Sequence, residues 1–472
     1  MKTSEQKTTT GFKAVLVLSV FMWLFNFTAR ADAAADRAYI LSKFKFYYVV
    51  NPNTSDVTSL LTLSGSASDA RSVFDGNTLM DSMKVFLKCL LNDRAHGGDE
   101  LFQNAVKEIL SIRGKDIAFF MYHDAVPLND FAKRTFVNCV NRGYVWPCAN
   151  SFTAATTAPN TVGTYWGKIH IGQYFLSAVS RNDAKFIFLH ELTHTQDMSQ
   201  FTMHPFIVNR KPYKYGSDNR HFYHEAIPSM SNAFKEGIAN AFAYQFQRPS
   251  ARVAPELVNW YNPTREIIVE TNTPTPDPTP GVSPDIWLNQ QILAAGITPI
   301  SSGGGYSTYR LSQLPPRIMI HNEMIIVNII LAYMNHVNFA TVARAFKTYN
   351  MGTNSVFSGT GNLQTMMTTL CQAGLPESMQ AQSFPSCADF PGRKVYLLPL
   401  AYADYFTGFS STSVSGFNQL FDNGLNGDLI QCYWNNRAAV RTAAQAATVR
   451  NFTQASTEIA IALGINTSEA EH

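Results

Sequence analysis

Apolar and polar positions along this chain switch between a period near two and a period near 3.6, and the switches mark its elements. Residues 39–51 (YILSKFKFYYVVN) are rich in aromatic and β-branched side chains and predict a strand, as does the apolar run 116–122 (DIAFFMY). Between them lie a loop over 52–77 and two segments with helical spacing, 79–92 (LMDSMKVFLKCLLN) and 100–113 (ELFQNAVKEILSIR). The stretch 141–163, with Pro147, Pro159 and Gly163, reads as an irregular connection. Residues 165–175 (YWGKIHIGQYF) predict another strand, and a long helix follows, with Arg181-Asn182-Asp183 offering its N-cap. Phe186-Ile187-Phe188-Leu189 makes that helix apolar on every side, which places it inside a domain rather than on its surface.

The pattern changes character further on. Residues 201–220 carry Pro205, Pro212 and Gly216 and predict a loop, and a second helix is expected over about 228–247. Residues 271–285 (TNTPTPDPTPGVSPD) hold five prolines and read as an extended linker or surface loop. A short helix is expected over 286–297, and the SSGGG run at 301–305 reads as a flexible spot. Residues 317–349 predict two helices broken near 335–338. Helix is expected again over 361–371 and over the Ala-rich 436–464, with 374–393 irregular and 394–406 either strand or helix. The expected fold class is α+β, a mixed sheet with a buried helix, followed by a mainly helical C-terminal part.

Composition narrows the compartment more than the chemistry. Lys2, Lys7 and Lys13 precede an apolar run over 14–27, and the A-x-A sites Ala29-Arg30-Ala31 and Ala31-Asp32-Ala33 follow it. That is the pattern of a secretory signal over residues 1–33, and the run is short for a membrane span, which needs about 20 residues. The expected product is secreted or periplasmic, with no stable membrane span once the signal is removed; a signal anchor is the alternative reading. The remaining divisions are 34–270, the proline segment 271–285, and 286–472. Six cysteines fit an oxidising compartment; proximity favours Cys139–Cys148 and Cys371–Cys387, which leaves Cys89–Cys432. Net charge is only +3 with no dense Lys/Arg run, so nothing points to a nucleic-acid surface.

The candidate chemistry sits on the buried helix. His190-Glu191-Leu192-Thr193-His194 is an H-E-x-x-H string. On a helix, residues four apart share a face, so both imidazoles can reach one metal ion, with Glu191 beside them as general base. Catalytic zinc takes three protein ligands, so a third donor is required. The metzincin solution is a further histidine after a glycine. Here Thr195-Gln196-Asp197-Met198-Ser199-Gln200 follows, without glycine, and His204 stands at the wrong offset. The other solution is a glutamate from a later helix, and Glu236 in Glu236-Gly237-Ile238-Ala239-Asn240 supplies it. Gly237, Ala239 and Ala241 would let the second helix approach the first.

These residues resemble the gluzincin group of zinc metallopeptidases. Thermolysin-like enzymes share the H-E-L-T-H string and many aminopeptidase-like members share E-G-x-A. The resemblance covers about 165–247. It implies a zincin-like domain over 34–270, one catalytic Zn2+ held by His190, His194 and Glu236, and a peptide or protein substrate. It also implies a hydrogen-bond partner for a ligand histidine. Asn240, four residues past Glu236, is one candidate, where thermolysin-like enzymes carry aspartate, and Asp197 is the other. A donor for the oxyanion is expected among His221, His224, Tyr309, His321 and Tyr333. His221 and His224 could instead form a second metal site or stand as ordinary polar residues. His170 is placed on a strand of the kind zincins use to pair with substrate. Two rival readings remain: an exported binding protein without enzymatic activity, and a zinc hydrolase of a non-peptide bond.

Overall fold

The computed structural model describes residues 35–49, 81–92, 98–112, 114, 116–122, 140–141, 144–145, 148–150, 167–172, 176–177, 179–196, 226, 230–250, 266–270, 288, 292–303, 306–310, 313–314, 316–319, 321–334, 338–351, 404, 437–439 and 442. Helix and sheet are mixed throughout this set.

The first sheet is built from β1 (Phe44–Val49), β2 (Ile117–Tyr122), β5 (Cys148–Asn150) and β6 (Gly167–Gly172), in the order β1-β2-β6-β5. β1, β2 and β6 run parallel, with Phe46, Phe119 and Ile169 in one row, and β5 pairs antiparallel at the edge. Alternate residues of a strand share a face. Phe44, Phe46, Ile117, Phe119, Ile169 and Ile171 are therefore buried together, whereas Lys45 between two of them is exposed.

That face is covered by α1 (Asp81–Leu90), α2 (Glu100–Ser111) and α3 (Arg181–Gln196). Phe188 of α3 is the hub. Its ring meets those of Phe44, Phe86, Phe102 and Phe119 at centroid separations of 5.2–6.1 Å, mostly edge-on, the arrangement aromatic quadrupoles favour. Asp99 caps α2 by accepting from Phe102 N–H, and it also pairs with the buried Lys185 of α3. One carboxylate thus starts α2 and pins α3.

Behind α3 lies α4 (Met230–Phe246), and behind α4 lies α6 (Glu323–Met334), so α4 is packed between two helices. A second, antiparallel sheet of β7 (Glu266–Glu270), β8 (Ser301–Gly303) and β9 (Tyr306–Arg310) has the order β7-β9-β8. Ala226 N–H donates to Ile268 O, and Ala226 bridges to Asn322, so the approaches to α4 and α6 are both tied to this sheet. Asn322 then caps α6 through Oδ1, which accepts from Met324 and Ile325 N–H. The remaining elements are the two-residue strands β3 (Val140–Asn141) and β4 (Tyr144–Val145), and the helices α5 (Pro316–Met319) and α7 (Phe339–Met351).

Several elements depart from expectation. Residues 35–43 are helical, with Ile40 and Leu41 buried, and the strand begins only at Phe44; the aromatic-rich run conceals the change of period. The connection over 141–163 contains the edge strand β5. The SSGGG run enters β8, where the Ser302 and Ser307 hydroxyls pair across to β9. β8 and β9 interrupt the part, 286–472, expected to be mainly helical. The N-cap of α3 is Ser180, whose Oγ accepts from Asp183 N–H.

Residues 1–33, 201–220, 271–285, 361–371 and 374–393 lie outside the described set. So do Cys139, Cys371, Cys387 and Cys432, and with them the three expected cysteine pairings. No helix among the described residues is long and apolar enough to cross a membrane.

Candidate metal centre

Between Asp183 and Gln196, α3 is buried at every position except Ile187, His190 and His194. These three are spaced by three and four residues and form one stripe. The helix is thus enclosed by sheet and helices on all other sides and opens along the line that carries the two imidazoles.

α4 crosses that line antiparallel to α3. The pairing of His190 with Asn240 and of His194 with Glu236 shows the sense: four residues forward on one helix is four back on the other. Asp183 holds the far end of the pair. Its buried carboxylate accepts from Ser250 N–H at 2.7 Å, from Ser250 Oγ at 2.8 Å and from Ser180 Oγ at 2.7 Å, tying the first turn of α3 to the residues just past α4. This clamp was absent from the expected site. Its signal was in the chain, because Ser180-Arg181-Asn182-Asp183 has the S-x-x-D spacing of a helix start.

The donors meet at the crossing. His190 Nε2 and His194 Nε2 are 3.0 Å apart, and each lies 3.2 Å from Glu236 Oε2. Atoms so spaced lie on a circle of radius about 1.8 Å, so a point about 2.0–2.2 Å from all three exists just off their plane, as zinc–nitrogen and zinc–oxygen bonds require. Among the described residues these three form the one group of histidine, cysteine or acidic side chains that could hold a metal ion.

The hydrogen bonding of His190 leaves its Nε2 open to a metal ion. Asn240 is fully buried, and its Oδ1 accepts from His190 Nδ1 at 2.9 Å. A neutral imidazole carrying its proton on Nδ1 presents a bare lone pair at Nε2. That lone pair faces a second imidazole nitrogen and a carboxylate oxygen within 3.2 Å. Either a proton on His194 Nε2 or a metal ion among the three atoms satisfies that lone pair. The chemistry of the donor set, two imidazoles and a carboxylate, suits zinc among other divalent ions.

The side chains of His190, His194 and Glu236 keep 13, 20 and 23% of their surface exposed. A site with three protein donors and a solvent-facing side differs from the closed four-donor structural type. Glu191 follows His190 directly and is nearly buried, at 9% exposure.

The other expected participants divide. Asp197, His221, His224 and His204 lie outside the described residues. Tyr309 and Tyr333 are fully buried members of the hydrophobic core, and burial raises the Tyr309 phenol, with a hydrogen bond to Ser307 offsetting part of that. His321 is buried just ahead of α6. His170 stands on β6, which is flanked by β2 and β5, so the strand that carries it is interior and β5 is the edge. Gly237 does not serve the approach of α4 to α3: a Cβ there would meet Ile326 and Glu323 of α6.

Fold and site together define a protein of mixed helix and sheet with a His-His-Glu group able to hold a metal ion. No protein-family model matches the chain, and comparison with curated proteins and with solved structures finds no match either.

Proposed function

We propose that this chain is an exported zinc-dependent metallopeptidase, which hydrolyses peptide bonds with Glu191 as general base. The observation that carries the reading is the convergence of His190 Nε2, His194 Nε2 and Glu236 Oε2 on one partly exposed point, with Glu191 next to His190 in the sequence.

His190, His194 and Glu236 would hold the zinc ion, which when bound supplies Lewis acidity and lowers the pKa of water to about 7. Asn240 fixes the tautomer and orientation of His190 by accepting from its Nδ1. Glu191, one residue past a ligand, takes a proton on its carboxylate as water attacks the peptide carbonyl, then delivers that proton to the leaving amine nitrogen. Its near burial favours both roles, because a carboxylate shielded from water transfers protons to neighbours rather than to solvent. β5 supports a peptide substrate. It lies at the sheet edge among the described residues and packs beside α3, and an extended chain would pair with such an edge. The signal-like N-terminus supports a site of action outside the cytoplasm.

The test is zinc content and peptide-library cleavage in the purified protein and in Glu191→Gln. One zinc per chain is expected in both, with cleavage lost by a factor of roughly a hundred or more in the variant. A variant that retains full cleavage removes Glu191 from the mechanism. Zinc without cleavage of any peptide favours a binding protein or another hydrolase.

A further inference from the structure

Gly237 follows the carboxylate donor directly, and its surroundings are crowded on the side of α6. A Cβ built there stands 2.5 Å from Ile326 Cβ, 2.7 Å from Ile326 Cγ2 and 2.9 Å from the carbonyl oxygen of Glu323. None of these atoms is the end of a flexible side chain. Two belong to the stem of a branched residue fully buried on α6, and one is backbone. The shortest approach is about 1 Å inside van der Waals contact, so neither helix can adjust by a rotamer change. α4 would have to move as a body.

The same short stretch of α4 carries the donor. Glu236 is the neighbour of Gly237, and Asn240 is less than one turn further on, both meeting histidines of α3. Metal coordination holds donor distances to within about 0.2 Å. A shift of α4 by a fraction of the clash therefore exceeds what the centre tolerates. Alanine is the better helix former, so backbone propensity opposes glycine here and only the close approach favours it.

We propose that α6 seats the third donor: contact between Gly237 and Ile326 sets where the Glu236 carboxylate stands, and the metal affinity of the centre depends on the α4–α6 contact. Gly237 and Ile326 are positioning residues, since neither touches the metal. The inference rests on the reading that His190, His194 and Glu236 bind a metal ion. It joins a helix more than eighty residues further along the chain to the metal centre.

The test uses the full chain as wild type, Gly237→Ala, Glu236→Ala and Ile109→Ala, the last a buried core truncation on α2 as a control for lost stability. Zinc affinity is measured by competition with a chromophoric chelator, and Co2+ is substituted to read the ligand set from its visible absorption. Gly237→Ala is expected to keep its helical circular dichroism and bind zinc roughly tenfold to a hundredfold more weakly. Its cobalt spectrum should move towards that of Glu236→Ala, while Ile109→Ala keeps the wild-type affinity and spectrum. Wild-type affinity with a wild-type cobalt spectrum in Gly237→Ala overturns the proposal and leaves the metal reading intact. If Gly237→Ala does not fold, Ile326→Ala decides: it removes the seat from the other side and should weaken zinc binding at least about fivefold, and unchanged affinity overturns the proposal. A wild-type protein that binds no zinc overturns the metal reading itself, and this inference with it.

Discussion

Asn240→Ala separates metal affinity from fold stability. The Asn240 amide makes one hydrogen bond, from His190 Nδ1 to Oδ1 at 2.9 Å, while its Nδ2 is buried with no partner among the described residues. Truncation to alanine loses one hydrogen bond, worth about 1 kcal/mol, and also removes an orphaned buried donor that costs a similar amount or more. The two nearly cancel, so the midpoint of denaturation of the metal-free protein should change by less than about 1 kcal/mol. The histidine is affected differently. Without its acceptor, Nδ1 no longer holds the proton, the ring can rotate and carry it on Nε2, and the lone pair facing Glu236 is lost. Loss of such a partner weakens metal binding by about ten- to a hundredfold, or roughly 1.4–2.7 kcal/mol. Asn240→Asp should move affinity the other way, because a carboxylate accepts the same bond with a full charge. The assay is a zinc competition titration beside urea denaturation of the metal-free chains. Equal loss of stability and affinity in Asn240→Ala, or no loss of affinity, would refute the argument that this amide orients His190.

Two further outcomes follow from the packing. Phe188→Ala removes the ring on which four others converge and should cost about 3–5 kcal/mol by denaturant titration; a loss below 1 kcal/mol would mean the aromatic hub is not a structural centre. Lys185→Met should cost roughly 1–3 kcal/mol at pH 7, by removing a charged hydrogen bond to Asp99. That cost should shrink in acid. Burial pushes the Asp99 carboxyl up, but bonds from Lys185 and from Phe102 and Leu101 N–H outweigh it and hold the group below its usual 3.8. A carboxyl depressed on folding contributes stability in full above its unfolded value and loses it as pH falls through the lower folded value. The gap between wild type and Lys185→Met should therefore narrow from pH 6 to pH 3 in urea titrations, and a constant gap would show that the pair does not couple.

Among the described residues of the first half, the chain's own pattern carried four segments. Residues 79–92, 100–113, 116–122 and 165–175 each contain an element of the expected type, since one buried face imposes its period on the sequence. The second sheet was less legible. β8 is three small residues, Ser301–Gly303, and becomes a strand only because β9 offers it a partner, a fact no local window contains. The edge strand β5 follows Pro147 and is equally short.

The metal centre divides along the same line. Helical period alone puts His190 and His194 on one face, because their spacing is local and any regular helix delivers it. Nothing local puts Glu236 beside them. The two are joined by 42 positions of chain, and only the antiparallel crossing of α3 and α4, clamped by Asp183 and seated on α6, brings Oε2 to 3.2 Å from both imidazoles. The residue types were written in the sequence; their distances are a property of three helices packed at close range, since packing and not chain spacing sets where side chains of different helices meet.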